Sequence, residues 1–177
     1  MLDRHIHPRL KPLLHRCVSI IDKPAITPDG LTLVGFAIGV LALPFLALGW
    51  YLAALAVIVL NRLFDGLDGA LARRRGLTDA GGFLDITLDF LFYALVPFGF
   101  MLADPAANSL AGGWLLFAFM GTGSSFLAFA ALAAKHQIDN PGYAHKSFYY
   151  LGGLTEGTET ILLFVLGCLF PEYFAVM

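Results

Sequence analysis

The chain has 177 residues, 58% of them hydrophobic and only 14% charged, with a mean hydropathy of +0.76. A soluble domain carries about 25% charged residues, and so few charges cannot cover the surface of a water-soluble sphere. The net charge of −2 excludes a global electrostatic footprint for nucleic acid, and two cysteines exclude a disulfide scaffold. What remains is an integral membrane protein.

Residues 1–29 contain no uninterrupted apolar core and therefore do not form a signal peptide. Ile6, Leu10, Leu13, Leu14, Cys17, Val18 and Ile21 recur at helical spacing, with Arg9, Lys11 and Arg16 between them. That pattern predicts a short amphipathic helix in the headgroup layer. The alternative is a basic tail that only sets topology. Pro8 and Pro12 limit the helix length. Beyond this segment, no charged residue occurs between Asp29 and Arg62 or between Asp104 and Lys135. A bilayer core about 30 Å thick needs roughly 20 apolar helical residues. The first run is too long for one span, and Gly49-Trp50 offers a turn near its middle. Five spans are predicted, over residues 31–48, 51–72, 82–102, 110–134 and 147–170. Residues 30–177 thus read as one all-α membrane bundle with an interfacial N-terminal helix and no soluble domain. Cys17 and Cys168 fall too far apart in this arrangement to form a disulfide.

Basic residues set the orientation. Arg4, Arg9, Lys11, Arg16 and Lys23 precede the first span, Arg73, Arg74 and Arg75 follow the second, and Lys135 and Lys146 lie between the fourth and fifth. The opposite loops, at Gly49 and at Asp104–Ser109, carry no Lys or Arg. The positive-inside rule makes the basic side cytoplasmic, as in a protein of a bacterial-type inner membrane.

Four carboxylates stand out because ionisable groups within spans mark functional sites. Asp65 and Asp68 are three apart, and Asp85 and Asp89 four apart, so each pair shares one helix face. A short loop containing Arg and Gly joins the two helices, which predicts antiparallel neighbours with the four acids converging at the cytoplasmic end. Four like charges there require cations, and hard oxygen ligands suit Mg²⁺ or Mn²⁺ shared with substrate phosphates. Gly66 and Gly69 would let a ligand approach the backbone, and Arg73 can pair a phosphate. Metal, phosphate and a carboxylate base together indicate phosphoryl chemistry. Acids that merely cap helix ends are the competing reading, and a poorer one for four acids on facing surfaces.

Asp65-Gly-Leu-Asp68-Gly69-Ala-Leu-Ala72-Arg73, a seven-residue spacer, and Gly81-Gly-Phe-Leu-Asp85-Ile-Thr-Leu-Asp89 resemble the motif of the CDP-alcohol phosphatidyltransferases, D-x-x-D-G-x-x-A-R followed by G-x-x-x-D-x-x-x-D. Every fixed position is matched. Pro28-Asp29-Gly30-Leu31-Thr32 is similar to the Pro-Asn-x-x-Thr stretch that opens the family's first span, with Asp29 in place of Asn. The likeness is good over residues 24–103, and beyond them lies only in hydropathy. It implies transfer of a phosphatidyl group from a CDP-linked lipid such as CDP-diacylglycerol to a small alcohol, with release of CMP. It further implies a two-metal site held by Asp65, Asp68, Asp85 and Asp89, with Asp89 also taking the acceptor's proton. The nucleotide side would comprise Asp29, Thr32, Gly69, Ala72, Arg73, Thr78 and Gly81. Family members share six spans, an interfacial helix and homodimeric assembly. By that measure this chain would stop before a sixth span, and the apolar Tyr173–Met177 reads as the start of one.

Two other classes compete. A divalent-cation transporter accounts for the acids but not for Ala72-Arg73 or the spaced glycines, and a non-catalytic membrane partner need not retain every motif residue. The acceptor alcohol is not specified by the motif. Phosphorylated acceptors such as glycerol phosphate or inositol phosphate need a basic cluster facing the site, and no Arg or Lys lies deep in spans three to five. Glu156, Glu159 and Lys146 are instead the residues expected to line an acceptor pocket for a neutral polyol or amine-bearing alcohol. Alternatively, the two glutamates pair with Arg62 or hold helices together. Thr122, Ser124 and Ser125 between Gly121 and Gly123 are expected to allow close helix packing, and Pro97 to kink its span.

Overall fold

The computed structural model describes residues 12, 14, 16–136 and 157–177, and regular structure among them is entirely helical. Helix α1 covers Pro28–Val40, α2 Ala42–Ala47, α3 Tyr51–Arg75, α4 Asp79–Ala103, α5 Pro105–Lys135 and α6 Gly157–Leu169, followed by a 3₁₀ helix at Pro171–Val176. Three helices start on the same kind of cap. The Gly30 amide donates to Thr27 Oγ1, the Gly81 amide to Thr78 Oγ1 and the Ala107 amide to an Asp104 carboxylate oxygen, each at 3.0 Å. Each bond satisfies one of the amides a helix start leaves free, and Pro28 and Pro105 occupy first-turn positions where no donor is needed.

Helices α1 and α2 together form the first predicted span, Pro28–Ala47. They are separated at Leu41 because Pro44 has no amide hydrogen and its ring crowds the Val40 carbonyl. The turn expected at Gly49-Trp50 is present, with Gly49 at a φ of 72°. Asp79–Ala103 and Pro105–Lys135 are also long and apolar enough to cross a membrane. Helix α3 has 25 residues, but its charged second half keeps its hydropathy low. The described part of the fifth predicted span is only the 13 residues of α6. Residues 147–156, with Glu156, lie outside the described residues, as does Lys146. Helix α4 continues through Pro97. Of the predicted packing glycines, Gly123 faces the Phe90 ring of α4, whereas Gly121 faces open space.

Tyr173–Met177 is not part of an α-helix here. It lies in and just past the 3₁₀ helix, where Phe174 is buried and stacks on Phe100 of α4 at 4.2 Å between ring centroids. Aromatic burial turns this apolar segment back onto the bundle.

The motif helices meet through side chains at the basic end, with few close backbone approaches. Helix α1 packs against both α3 and α4, and α2 against both as well, so α3 and α4 approach each other directly at few points. Gly35 permits the tight crossing of α1 and α3, since a Cβ there would lie 2.6 Å from Phe64 Cβ. Asn61 Nδ2 of α3 donates to the Gly35 carbonyl at 2.9 Å. The main apolar core lies beyond this crossing, around Leu46, Ile58, Phe92, Phe100 and Phe164.

Residues 16–21 are helical, and this N-terminal segment docks on the basic end of α3. Val18 is buried with Ala70 and Leu71, while Ile20 on the other face is 74% exposed. Asp22 pairs with Arg74 and Arg75, and Arg75 donates further to the carbonyls of Lys23 and Ile26. Both cysteines are free.

The basic end and the Asp104 turn therefore lie at opposite ends of α4. In a background lacking Cys17 and Cys168, a cysteine introduced at exposed Ala106 should react with an impermeant maleimide from outside the cell. One at exposed Leu77 should react only after the membrane is opened. Reversed labelling would invert the orientation.

Candidate active site

A cleft opens where α1, α3 and α4 converge at the basic end of the bundle. Thr32 and Gly35 come from α1, Asn61, Arg62, Asp65 and Asp68 from α3, and Asp85 and Asp89 from α4. Helical spacing turns Asp65 and Asp68 to one side of α3 and Asp85 and Asp89 to one side of α4. Helix α1 packs against both helices and contributes Thr32 and Gly35 to the cleft wall.

The four acids do not form one symmetrical cluster. Oxygens of Asp65, Asp68 and Asp85 lie within 4.8 Å of one another. Asp68 is only 4% exposed, and its buried Oδ2 has no hydrogen-bond donor. A buried carboxylate oxygen without a partner is costly, and all-carboxylate donors at this separation match the requirements of a hard divalent cation. The donor set thus fits Mg²⁺ or Mn²⁺.

Asp89 lies in a different arrangement. Its Oδ1 accepts from Arg62 Nη2 at 2.9 Å, a contact that bridges α3 and α4. Arg62 Nε and Nη2 also donate to Asn61 Oδ1 at 2.8 and 2.6 Å, and Nη1 lies 3.7 Å from Asp65. The guanidinium sits over the Phe92 ring at 4.7 Å and the Tyr93 ring at 5.5 Å. Arg62 lies outside the family motif, and a pairing with Glu156 and Glu159 was one expectation for it; Glu156 lies outside the described residues. Among the described residues Arg62 contacts Asp89, Asp65 and Asn61. Its sequence signal was a lone cation inside a span, one turn before Asp65.

The residues expected on the nucleotide side fall into two groups. Asp29, Thr78 and Gly81 meet at the start of α4: a Cβ on Gly81 would lie 2.9 Å from Thr78 Oγ1 and 3.0 Å from Asp29 Oδ1. Thr32 lines the cleft beside the acids. Arg73 folds back over Gly69, its Nη1 3.2 Å from where a Gly69 Cβ would be, and it lies within electrostatic reach of Asp68, Asp85 and Asp65. Ala72 occupies the same turn of α3. Gly66 differs from expectation, because Leu14 of the N-terminal segment covers it at 3.2 Å from a Cβ position. Its small size admits that segment rather than a ligand. Glu159 falls in the first turn of α6.

A helical membrane bundle with paired motif acids at one end defines a lipid-phosphate-processing class of membrane enzyme. The family model for CDP-alcohol phosphatidyltransferases matches residues 25–172, and the chain belongs to that family. It is 89% identical over 175 residues to inner membrane protein YnjF of Escherichia coli (strain K12), covering 99% of this chain and 85% of that one. Archaetidylinositol phosphate synthase of Pyrococcus horikoshii is 39% identical over 98 residues, which is 55% of this chain and 52% of the relative. An uncharacterized protein of Aquifex aeolicus is 34% identical over 160 residues, covering 90% and 76% respectively. No solved structure matches the chain.

The buried, unpartnered oxygen of Asp68 has a measurable consequence. Asp68→Asn should raise the melting temperature in EDTA by an amount worth about 1–3 kcal/mol, because the charge on a buried oxygen without a donor is removed. The same variant should lose the stabilisation that Mg²⁺ confers on the parent. A lower melting temperature in EDTA, with Mg²⁺ stabilisation intact, would contradict this description of the site.

Proposed function

We propose that the protein transfers a phosphatidyl group from CDP-diacylglycerol, or a closely related CDP-linked lipid, to the hydroxyl of a small alcohol and releases CMP. The observation that carries this reading is the triad of Asp65, Asp68 and Asp85 around one buried oxygen that lacks a donor. These three residues would hold Mg²⁺ or Mn²⁺, which when bound neutralises charge on the pyrophosphate. Arg73, lying over Gly69, supplies a guanidinium for a phosphate oxygen. Asp29, Thr32, Ala72, Thr78 and Gly81 form the side of the cleft that receives the cytidine end. Asp89 takes the proton from the acceptor hydroxyl: Arg62 holds one of its oxygens, leaving the second oxygen to accept. With the cleft at a cytoplasmic membrane boundary, the soluble nucleotide stays in water while the acyl chains remain in lipid.

For the acceptor, the commitments of the basic residues favour a neutral polyol or amine-bearing alcohol. Arg74 and Arg75 are engaged by Asp22 and Arg62 by Asp89, so neither set is available for an acceptor phosphate. A phosphorylated inositol is the second reading, favoured by the identity to archaetidylinositol phosphate synthases over about half of the chain.

Purified protein with CDP-diacylglycerol and Mg²⁺ should release CMP with one acceptor from a panel of inositol, inositol phosphate, glycerol phosphate, serine, choline and ethanolamine. Lipid mass identifies which one. Excess EDTA should abolish release, and Asp89→Asn should lower turnover at least about 100-fold while the lipid still binds. CMP release unaffected by EDTA would overturn the metal assignment, and full turnover in Asp89→Asn the assignment of the base.

A further inference from the structure

We infer that Arg75, which lies past the end of the family motif, holds the start of α1 against the start of α4 and so sets how tightly the cleft grips the cytidine end of its substrate. This rests on the reading of Asp29, Thr78 and Gly81 as the nucleotide side.

The three arginines at the end of α3 have different partners. Arg73 folds back over Gly69. Arg74, half-exposed, pairs with Asp22 Oδ2 at 3.0 Å. Arg75 is less exposed and uses all three guanidinium nitrogens. Its Nε and Nη2 donate to Asp22 Oδ1 at 2.8 and 2.5 Å. Nη2 also donates to the Lys23 carbonyl at 2.8 Å, and Nη1 to the Ile26 carbonyl at 2.5 Å. A planar fork of donors can serve several acceptors arranged round one turn, which a single ammonium cannot.

Those acceptors belong to the turn that leads into α1. The Ile26 amide donates back to the Lys23 carbonyl at 2.9 Å, and Thr27 follows as the helix cap. Ile26 and Leu31 both pack on the cluster of Val18, Ala70 and Leu71. Apolar residues on either side of a helix cap fix the angle at which the chain enters the helix. Polar and apolar contacts thus tie the same turn to the end of α3, and Asp29 comes in the first turn of the helix it starts.

The other half of this wall is reached from Arg75 along the chain. Gly76 turns the backbone at a φ of 109°, and Thr78 caps α4 by accepting from the Gly81 amide. Both helix starts meet at Gly81, where a Cβ would lie 2.9 Å from Thr78 Oγ1 and 3.0 Å from Asp29 Oδ1. Arg75 therefore closes a ring made of the end of α3 and the starts of α1 and α4. It is a positioning residue. Loosening the ring alters a wall that binds the nucleotide equally before and during reaction, and leaves the acids in place.

The test uses the detergent-solubilised full chain with Mg²⁺, measuring the Kd for CDP by isothermal titration and the kinetics of CMP release. Arg75→Gln should weaken CDP about tenfold and raise the KM for CDP-diacylglycerol by the same factor, with kcat and the acceptor KM within about twofold of the parent. Arg75→Lys should behave like Arg75→Gln, because one ammonium cannot replace the fork. Asp22→Asn keeps both carbonyl contacts and should weaken CDP about threefold, which keeps the inference testable if the Arg75 variants do not fold. Parental CDP affinity in a folded Arg75→Gln or in Asp22→Asn, or a loss confined to kcat, would overturn the role given to Arg75. Failure of the parent itself to bind CDP would instead overturn the nucleotide reading of the cleft.

Discussion

Asp68 carries a carboxylate oxygen that is shut away from water with no donor, beside the carboxylates of Asp65 and Asp85. Such a cluster at the edge of a membrane bundle is unfavourable unless positive charge is brought to it. Much of the surrounding architecture supplies or positions that charge. Arg62 reaches the cleft from one turn before Asp65, and Arg73 folds back over Gly69 from the next turn after it. What these guanidiniums leave uncompensated is suited to a hard divalent cation.

Packing explains why the acids meet without collapsing into one another. Helix α1 packs against both α3 and α4 and is drawn close to α3 by Gly35 and by the Asn61 bond to its carbonyl. The same Asn61 orients Arg62, so a helix-crossing contact and a site contact share one side chain. At the end of α3, Asp22 binds Arg74 and Arg75 while Val18 packs on Leu71. That clasp anchors the N-terminal segment beside the turn that leads from Arg73 to Thr78. Positive φ at Gly76, 109°, lets this turn reverse within three residues.

Much of this was legible in the sequence. Charge-free runs mark the apolar helices, and the spacing of Asp65, Asp68, Asp85 and Asp89 marks their common face. Such signals are local, and periodicity along one helix reports its faces accurately. What was not legible depends on how helices cross. A short loop between α3 and α4 suggested that their acids meet, but loop length does not reveal that α1 packs against both and lines the same cleft. Gly66 looks like a ligand-approach glycine until Leu14 is seen covering it. The stacking of Phe174 on Phe100 joins segments far apart in sequence. Arg62 is visible as an anomalous charge, but its contact with Asp89 across to α4 is a three-dimensional fact.

Membership of the CDP-alcohol phosphatidyltransferase family and the cleft geometry together make one claim central: a divalent cation bound by Asp65, Asp68 and Asp85. Anomalous diffraction from crystals of the full chain soaked in Mn²⁺ tests it most directly. A peak coordinated by oxygens of these three residues is the predicted result. Strong Mn²⁺ peaks elsewhere with none between the three aspartates would contradict it.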